Sequence, residues 1–174
     1  MIFVSVGTQL PFHRLINAVD EWAGNTGKNN VFAQIGKSKR TPQHLQWSRF
    51  VDTTEYKRKV HKADLIISHA GIGTIFTAID YKKPIIIMPR LMRYGEVENE
   101  HQLATVQHLS NLLDICVAID EKDLVEKLKH FTEISVCRLK DHANEPNLVQ
   151  VLQKFFEEGE TNLRFRISNF FRYK

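Results

Sequence analysis

The sequence runs to 174 residues, 43% hydrophobic and 25% charged, enough for one buried core, too short for two full domains and inconsistent with disorder. The formal charge of +4 suits nucleotides, phosphate groups or an anionic membrane surface, and no aromatic-plus-basic signature points to nucleic acid. No run of about 20 apolar residues is present to span a bilayer. The opening MIFVSVGT is too short, and lacks the positive leader, to be a signal peptide, so a cytoplasmic protein with Cys116 and Cys137 as reduced thiols is expected.

Ile2, Phe3, Val4 and Val6 form a short apolar strand ended by Gly7. Residues 11–23 carry a helical pattern: Pro11 suits the first turn, and Leu15, Ile16, Val19 and Trp22 make one apolar stripe. Residues 31–35 read as a second strand stopped by Gly36. Beyond the polar loop KSKRTPQHLQ, a short strand is expected around Phe50 and Val51, with Thr53 placed to cap the helix EYKRKVHKA. Asp64 opens the strand LIIS, residues 71–81 follow as a helix, and residues 84–88 (PIIIM) are a continuous apolar strand. A loop with Arg90, Arg93 and Gly95 leads to a helix through Gln102, Leu103, Val106 and Leu109. Residues 115–119 give a further strand, and Asp120 caps the helix LVEKLKHF. A last helix packed on the domain is expected over residues 146–158.

Strands apolar throughout and separated by helices mean a parallel sheet covered on both faces. The expected fold is α/β, a single Rossmann-like domain of about six parallel strands over residues 1–158. Residues 159–174 form a distinct basic tail. There Leu163, Ile167, Phe170 and Phe171 share one helical face, Arg164, Arg166, Arg172 and Lys174 lie around the other sides, and Phe165 breaks the pattern. Such a helix suits a groove on a partner, an anionic membrane surface or the domain's own core, and spacing leaves all three open.

In an open parallel sheet, ligands bind beyond the carboxyl ends of the strands. The unusual residues fall there: Gly7-Thr8-Gln9 after the first strand, Gln34-Ile35-Gly36 closing the second, Ser68 to Thr74 (SHAGIGT) after the fourth, and residues 90–102 after the fifth. In SHAGIGT a strand runs through Gly71 and Gly73 straight into a helix. Unpaired amides and the helix dipole at such a start suit a diphosphate, with His69 adding a donor or positive charge and Thr74 a hydroxyl. The same segment also fits a plain strand-to-helix turn with His69 packed on the sheet. The dinucleotide fingerprint fails because Phe76 stands where its third glycine belongs, and no P-loop or nucleophile-elbow pattern occurs. Ser68-His69 is not a hydrolase pair, since neighbouring strand residues point to opposite faces. No D-x-D pair or His/Cys cluster has metal spacing, so no metal and no cofactor is expected.

VSVGTQLPFHRLI, Gln34-Ile35-Gly36, ADLIISHAGIGT, KKPIIIMPR and ENEHQ occur in this order over residues 1–131. On these segments the chain resembles the donor-binding C-terminal half of family 28 glycosyltransferases. Within that family it is similar to stand-alone bacterial exopolysaccharide and capsule subunits, and to the small catalytic subunit of the eukaryotic enzyme that adds the second N-acetylglucosamine to dolichol diphosphate. The resemblance implies half of a GT-B enzyme using a UDP-sugar. It also implies a separate membrane-associated subunit binding the lipid-diphosphate sugar acceptor, and a peripheral location at the inner face of the membrane through that partner.

Carried over residue by residue, the resemblance gives Phe50 and Val51 the uracil, the Val51 backbone reading the base edge. Gly7 and Thr8 face the phosphates, and His69, Gly71, Ile72, Gly73 and Thr74 form the diphosphate turn, with His69 the catalytic candidate. Glu100, His101 and Gln102 read the sugar, Gln102 matching most closely. The family often places a ribose-binding glutamate where this chain has Thr77; Asp80, on roughly the same helix face, is the substitute considered. Transfer with inversion needs stabilisation of charge on the leaving diphosphate, which oriented amides supply and to which His69 and Arg90 add. The general base is expected on the partner, His13 being a surface helix residue. The competing readings are a non-catalytic nucleotide-binding regulatory module and a small dinucleotide enzyme, the latter disfavoured by Phe76.

Overall fold

The computed structural model describes residues 1–98 and 101–140. Residues Met1–Arg138 group into one compact unit. The expected last helix over 146–158 and the tail from 159 lie outside the described residues.

Apolarity on both faces decides the sheet. β1 (Ile2–Ser5), β4 (Leu65–His69) and β5 (Ile85–Met88) are buried almost throughout and lie at its centre. With β2 (Val31–Gln34), β3 (Gln46–Ser48) and β7 (Cys116–Val117) they form a six-stranded sheet in the order β3-β2-β1-β4-β5-β7. Every neighbouring pair is parallel. This is the expected single α/β domain with six parallel strands. A reversal of strand order at β1 opens a crevice at the carboxyl edge.

Helices cover both faces. α1 (His13–Thr26) buries Leu15, Ile16, Val19 and Trp22, and together with Leu124 and Leu128 of α5 (Glu121–Lys129) packs on Ile2, Val4 and Val6. Each such side chain contributes about 1.5–3 kcal/mol by leaving water. Phe3 points to the opposite face and meets Tyr56 of α2 (Thr53–Lys62) edge-on at 5.3 Å. α3 (Ile72–Asp80) adds Ile75 and Ala78. After β5 come a 3-10 turn (Met92–Tyr94), α4 (His101–Leu112) and β6 (Leu113–Asp114), which pairs with β8 (Arg138–Leu139) in a separate two-stranded sheet.

Three local expectations are corrected. The third strand is Gln46–Ser48, so Phe50 and Val51 lie beyond its end; β2 sets the register, with the Ile35 and Gly36 amides donating to Ser48 and Arg49 carbonyls (2.9 and 2.8 Å). Asp52, not Thr53, caps α2, its carboxylate accepting from the Glu55 amide at 2.8 Å. The last strand is reduced to Cys116–Val117 because Ile119 sits 67% exposed past the sheet, where its amide donates to Asp123. Asp120 caps α5 as expected.

Candidate functional site

Since all six strands run the same way, the loops after β1, β2, β3, β4 and β5 converge on one edge. Gly7 adopts a left-handed φ of 74°, turning the chain sharply off β1. Against it packs Gly36, where a Cβ would stand 2.6 Å from the Gly7 carbonyl oxygen. His69 ends β4 and its imidazole is wedged between two glycines: a Cβ at Gly7 would lie 3.0 Å from Cε1, and one at Gly71 only 2.7 Å from it. The glycines of this edge thus make room for an aromatic ring as well as turning the chain.

The turn into α3 leaves few amides over. Those of Thr74 and Ile75 return to the Gly71 carbonyl (3.1 and 3.2 Å), and the Gly71 amide donates to His69 (2.7 Å). Ile72 and Gly73 open the helix and have no intrahelical acceptor. A Cβ at Gly73 would meet nothing within 4 Å, so a side chain at that position would stand in open space. His69 keeps part of its surface in solvent, yet desolvation of its ring, reinforced by the charge of Arg90, pushes its pKa down to about 4 against an opposing contact with the Ser5 backbone. At neutral pH the ring is uncharged, which corrects the expectation of a positive His69 in the ligand-free chain; a neutral donor remains.

The β5 loop is built on two arginines. Arg90 is buried, and its Nη2 donates to the carbonyls of Val6 and Leu10, both at 2.7 Å. Its backbone amide donates to Oε1 of Gln102 at 2.9 Å. Arg14 engages Glu96 in bidentate fashion (Nε and Nη2, 3.0 Å each), the Pro89 carbonyl at 3.0 Å and Glu121 at 3.1 Å. Glu96 also accepts from the Leu91 amide at 2.9 Å. The segment from Pro89 to Glu96 is thereby fixed to α1 and to the start of α5.

A phosphate-suited turn at the carboxyl edge of such a sheet occurs in several families, and comparison with known proteins separates them. The model for the glycosyltransferase family 28 C-terminal domain matches residues 1–163. The chain belongs to that family. The match extends past residue 131, where the motif resemblance ended. Over 120 residues the chain is 32% identical to the UDP-N-acetylglucosamine transferase subunit ALG13 of Homo sapiens. That alignment covers 62% of this chain and 10% of the human protein, so the chain spans about a tenth of its length. Among solved structures, Acinetobacter baumannii MurG superposes with a TM-score of 0.54 at 17% identity over 75% of this chain and 41% of its own. The solution structure of ALG13 gives 0.52 at 18% identity, covering 78% of this chain and 87% of that one. At such identities these structures establish the shared fold alone.

In this family 28 domain, the His69 ring packs against both Gly7 and Gly71, with exposed Thr8 next along the chain from Gly7 and Ile72 and Gly73 opening the adjacent turn. On the neighbouring side Phe50 is 49% exposed and the Val51 amide donates to Oε1 of buried Gln34 at 3.3 Å, leaving the Val51 carbonyl to the edge. Thr74 corrects an expectation: it is buried, with its hydroxyl turned to Tyr56 at 3.4 Å, and supports the turn from within. The two residues considered for the ribose stand at different points of α3. Thr77 donates its hydroxyl to the Gly73 carbonyl at 2.7 Å, and Asp80 ends α3, about 12 Å along the axis from the helix start. Glu100 lies outside the described residues, as does the side chain of His101. Gln102 has its oxygen committed to Arg90, so its amide nitrogen is the group left for a ligand.

Nε2 of His13 accepts the Lys39 amide at 3.0 Å, which occupies the lone pair a base needs. Ser68 Oγ lies 3.4 Å from Nδ1 of His69, closer than residues on opposite strand faces were expected to come. Its hydroxyl proton goes instead to the Ser5 carbonyl at 2.8 Å, so the ring is not set to take it. Among the described residues no group of three or more His, Cys, Asp or Glu is placed to hold a metal, and no helix is long and apolar enough to cross a membrane. A recess of about 380 Å³ beside α5, lined by Asp123, Lys127 and His130 among others, is remote in sequence from every strand-end loop of the site; its charges pair among themselves. Tyr56, Arg14 and Glu96 were missed as supporting residues, and Gln34 was singled out at the end of the second strand without a role. Gln34 alone carried a signal, an amide side chain within an otherwise apolar strand.

Proposed function

We propose that this family 28 domain is the UDP-sugar-binding catalytic subunit of a two-component inverting glycosyltransferase. In this reading it adds a hexose or N-acetylhexosamine to a lipid-diphosphate-linked sugar in exopolysaccharide or capsule biosynthesis. The observation that carries the reading is the pair of amides at Ile72 and Gly73, without intrahelical acceptors at the start of α3, close behind a neutral His69 at the end of β4. As the acceptor hydroxyl attacks the anomeric carbon and the bond to the diphosphate breaks, negative charge grows on the departing phosphate. Fixed amide donors and the α3 dipole stabilise it without reorganisation, and His69 donates a hydrogen bond. No metal takes part. Phe50 and Val51 receive the uracil, and the Gln102 amide nitrogen reads a sugar oxygen.

The acceptor hydroxyl must lose a proton, and with the His13 lone pair occupied the base belongs to a second, membrane-associated chain that presents the acceptor. The human relative, itself named a subunit, supports a two-chain arrangement. That partner holds the domain at the inner membrane face, with the apolar and basic residues of the 163–174 segment as the docking sequence. Co-expression with a candidate membrane-associated subunit, then assay of a UDP-sugar panel in chelator on a lipid-diphosphate sugar, tests this. Transfer is expected from the pair and not from the isolated chain. Efficient turnover by the single chain contradicts the split enzyme, and nucleotide binding without transfer by any pair assigns the domain to regulation.

A further inference from the structure

Beneath the loop of residues 7–10 lies a cation that has no ion-pair partner of its own among the described residues. Arg90 is 4% exposed, and its Nη2 holds the carbonyls at both ends of that loop, Val6 and Leu10. Its Nε is buried with no hydrogen-bond partner among the described residues. Glu96, the carboxylate whose field reaches it, is gripped by both Nε and Nη2 of Arg14. Two buried guanidinium groups therefore share one buried carboxylate, because Glu121, the other partner of Arg14, keeps 40% of its side chain in solvent. The consequences differ as they should. Arg14 is held above the usual arginine value although desolvation opposes it, whereas burial brings Arg90 down to about 10, still charged at neutral pH. The same charge depresses His69. A buried cation in this state is strongly disfavoured unless an anion approaches it.

We propose that Arg90 is a positioning residue of the donor site, holding the 7–10 loop from beneath and biasing it, through its uncompensated charge, toward ligands with two phosphates over ligands with one. The inference rests on the donor-site reading above. In that reading Gly7 and Thr8 face the diphosphate, so the charge lies behind the loop and acts through a low-dielectric interior without touching the ligand.

Calorimetry on the full chain at fixed ionic strength compares UDP with UMP for wild type, R90Q and R90K, while NMR follows the His69 titration. R90Q keeps a donor for the loop carbonyls and removes the charge. Its preference for UDP over UMP is expected to fall about tenfold and its His69 pKa to rise, whereas R90K keeps both near wild type. A purely structural role weakens both ligands equally and leaves their ratio intact; that result in a folded R90Q overturns the inference. Should R90Q fail to fold, R90K decides, since a lost UDP preference despite a retained charge is equally contrary. If wild type binds neither nucleotide, the donor-site reading falls first, and this inference with it.

Discussion

His69 shows how one side chain fixes the chemistry around it. Its ring fills the space that Cβ atoms at Gly7 and Gly71 would occupy, so the two glycines and the imidazole form one packing unit. Gly71→Ala pushes a methyl group into the ring, which the Gly7 loop blocks from retreating. A loss of about 1–3 kcal/mol in urea denaturation is expected, largely recovered in the H69A/G71A double variant. The protonation of His69 gives a second expectation. Its pKa falls from 6.5 to about 4 on folding, so the unfolded chain binds the proton more readily. Stability is thus complete above pH 6.5 and declines as the pH drops toward 4, by roughly 3 kcal/mol at about 1.4 kcal/mol per unit. Denaturation midpoints across that range should show the decline in wild type and a flatter profile in H69Q.

At the scale of elements, the carboxyl edge depends on a buried ion pair spanning 82 residues of sequence, Arg14 to Glu96. Arg14→Met leaves the Glu96 carboxylate, itself 10% exposed, without its cation. A cost of about 3–5 kcal/mol is expected, with faster hydrogen exchange at the Leu91 amide that Glu96 accepts; unchanged exchange there would contradict the clamp. No sequence pattern announces a pairing at that separation. β1, β4 and β5, by contrast, were legible because burial on both faces leaves a continuous apolar run. β3 was misplaced for the converse reason. As an edge strand reading Gln-Trp-Ser it lacks an apolar signature, and the reading followed Phe50 and Val51, which lie beyond the strand's end. Gly7, His69, Gly71 and Gly73 stood out because glycines at strand ends are chemically conspicuous. Thr74 and Asp80 did not resolve, since helix phase and distance from the helix start depend on where α3 begins.

For the whole molecule, the all-parallel sheet with its reversal at β1 brings the loops that carry Gly7, Thr8, His69, Ile72 and Gly73 to one edge. The central claim is that this edge binds a nucleoside diphosphate through main-chain donors, without a metal. Gly73 offers the cleanest probe because nothing lies within 4 Å of its Cβ direction, so a tryptophan can start there without a clash at its Cβ and adds bulk at the helix start that bears the Ile72 and Gly73 amides. The decisive measurement is calorimetric titration of UDP into wild type and G73W in the presence of EDTA, with thermal unfolding confirming that both are folded. Saturable binding to wild type that disappears in a folded G73W is the result predicted; binding that requires a divalent ion, or that persists unchanged in G73W, contradicts it.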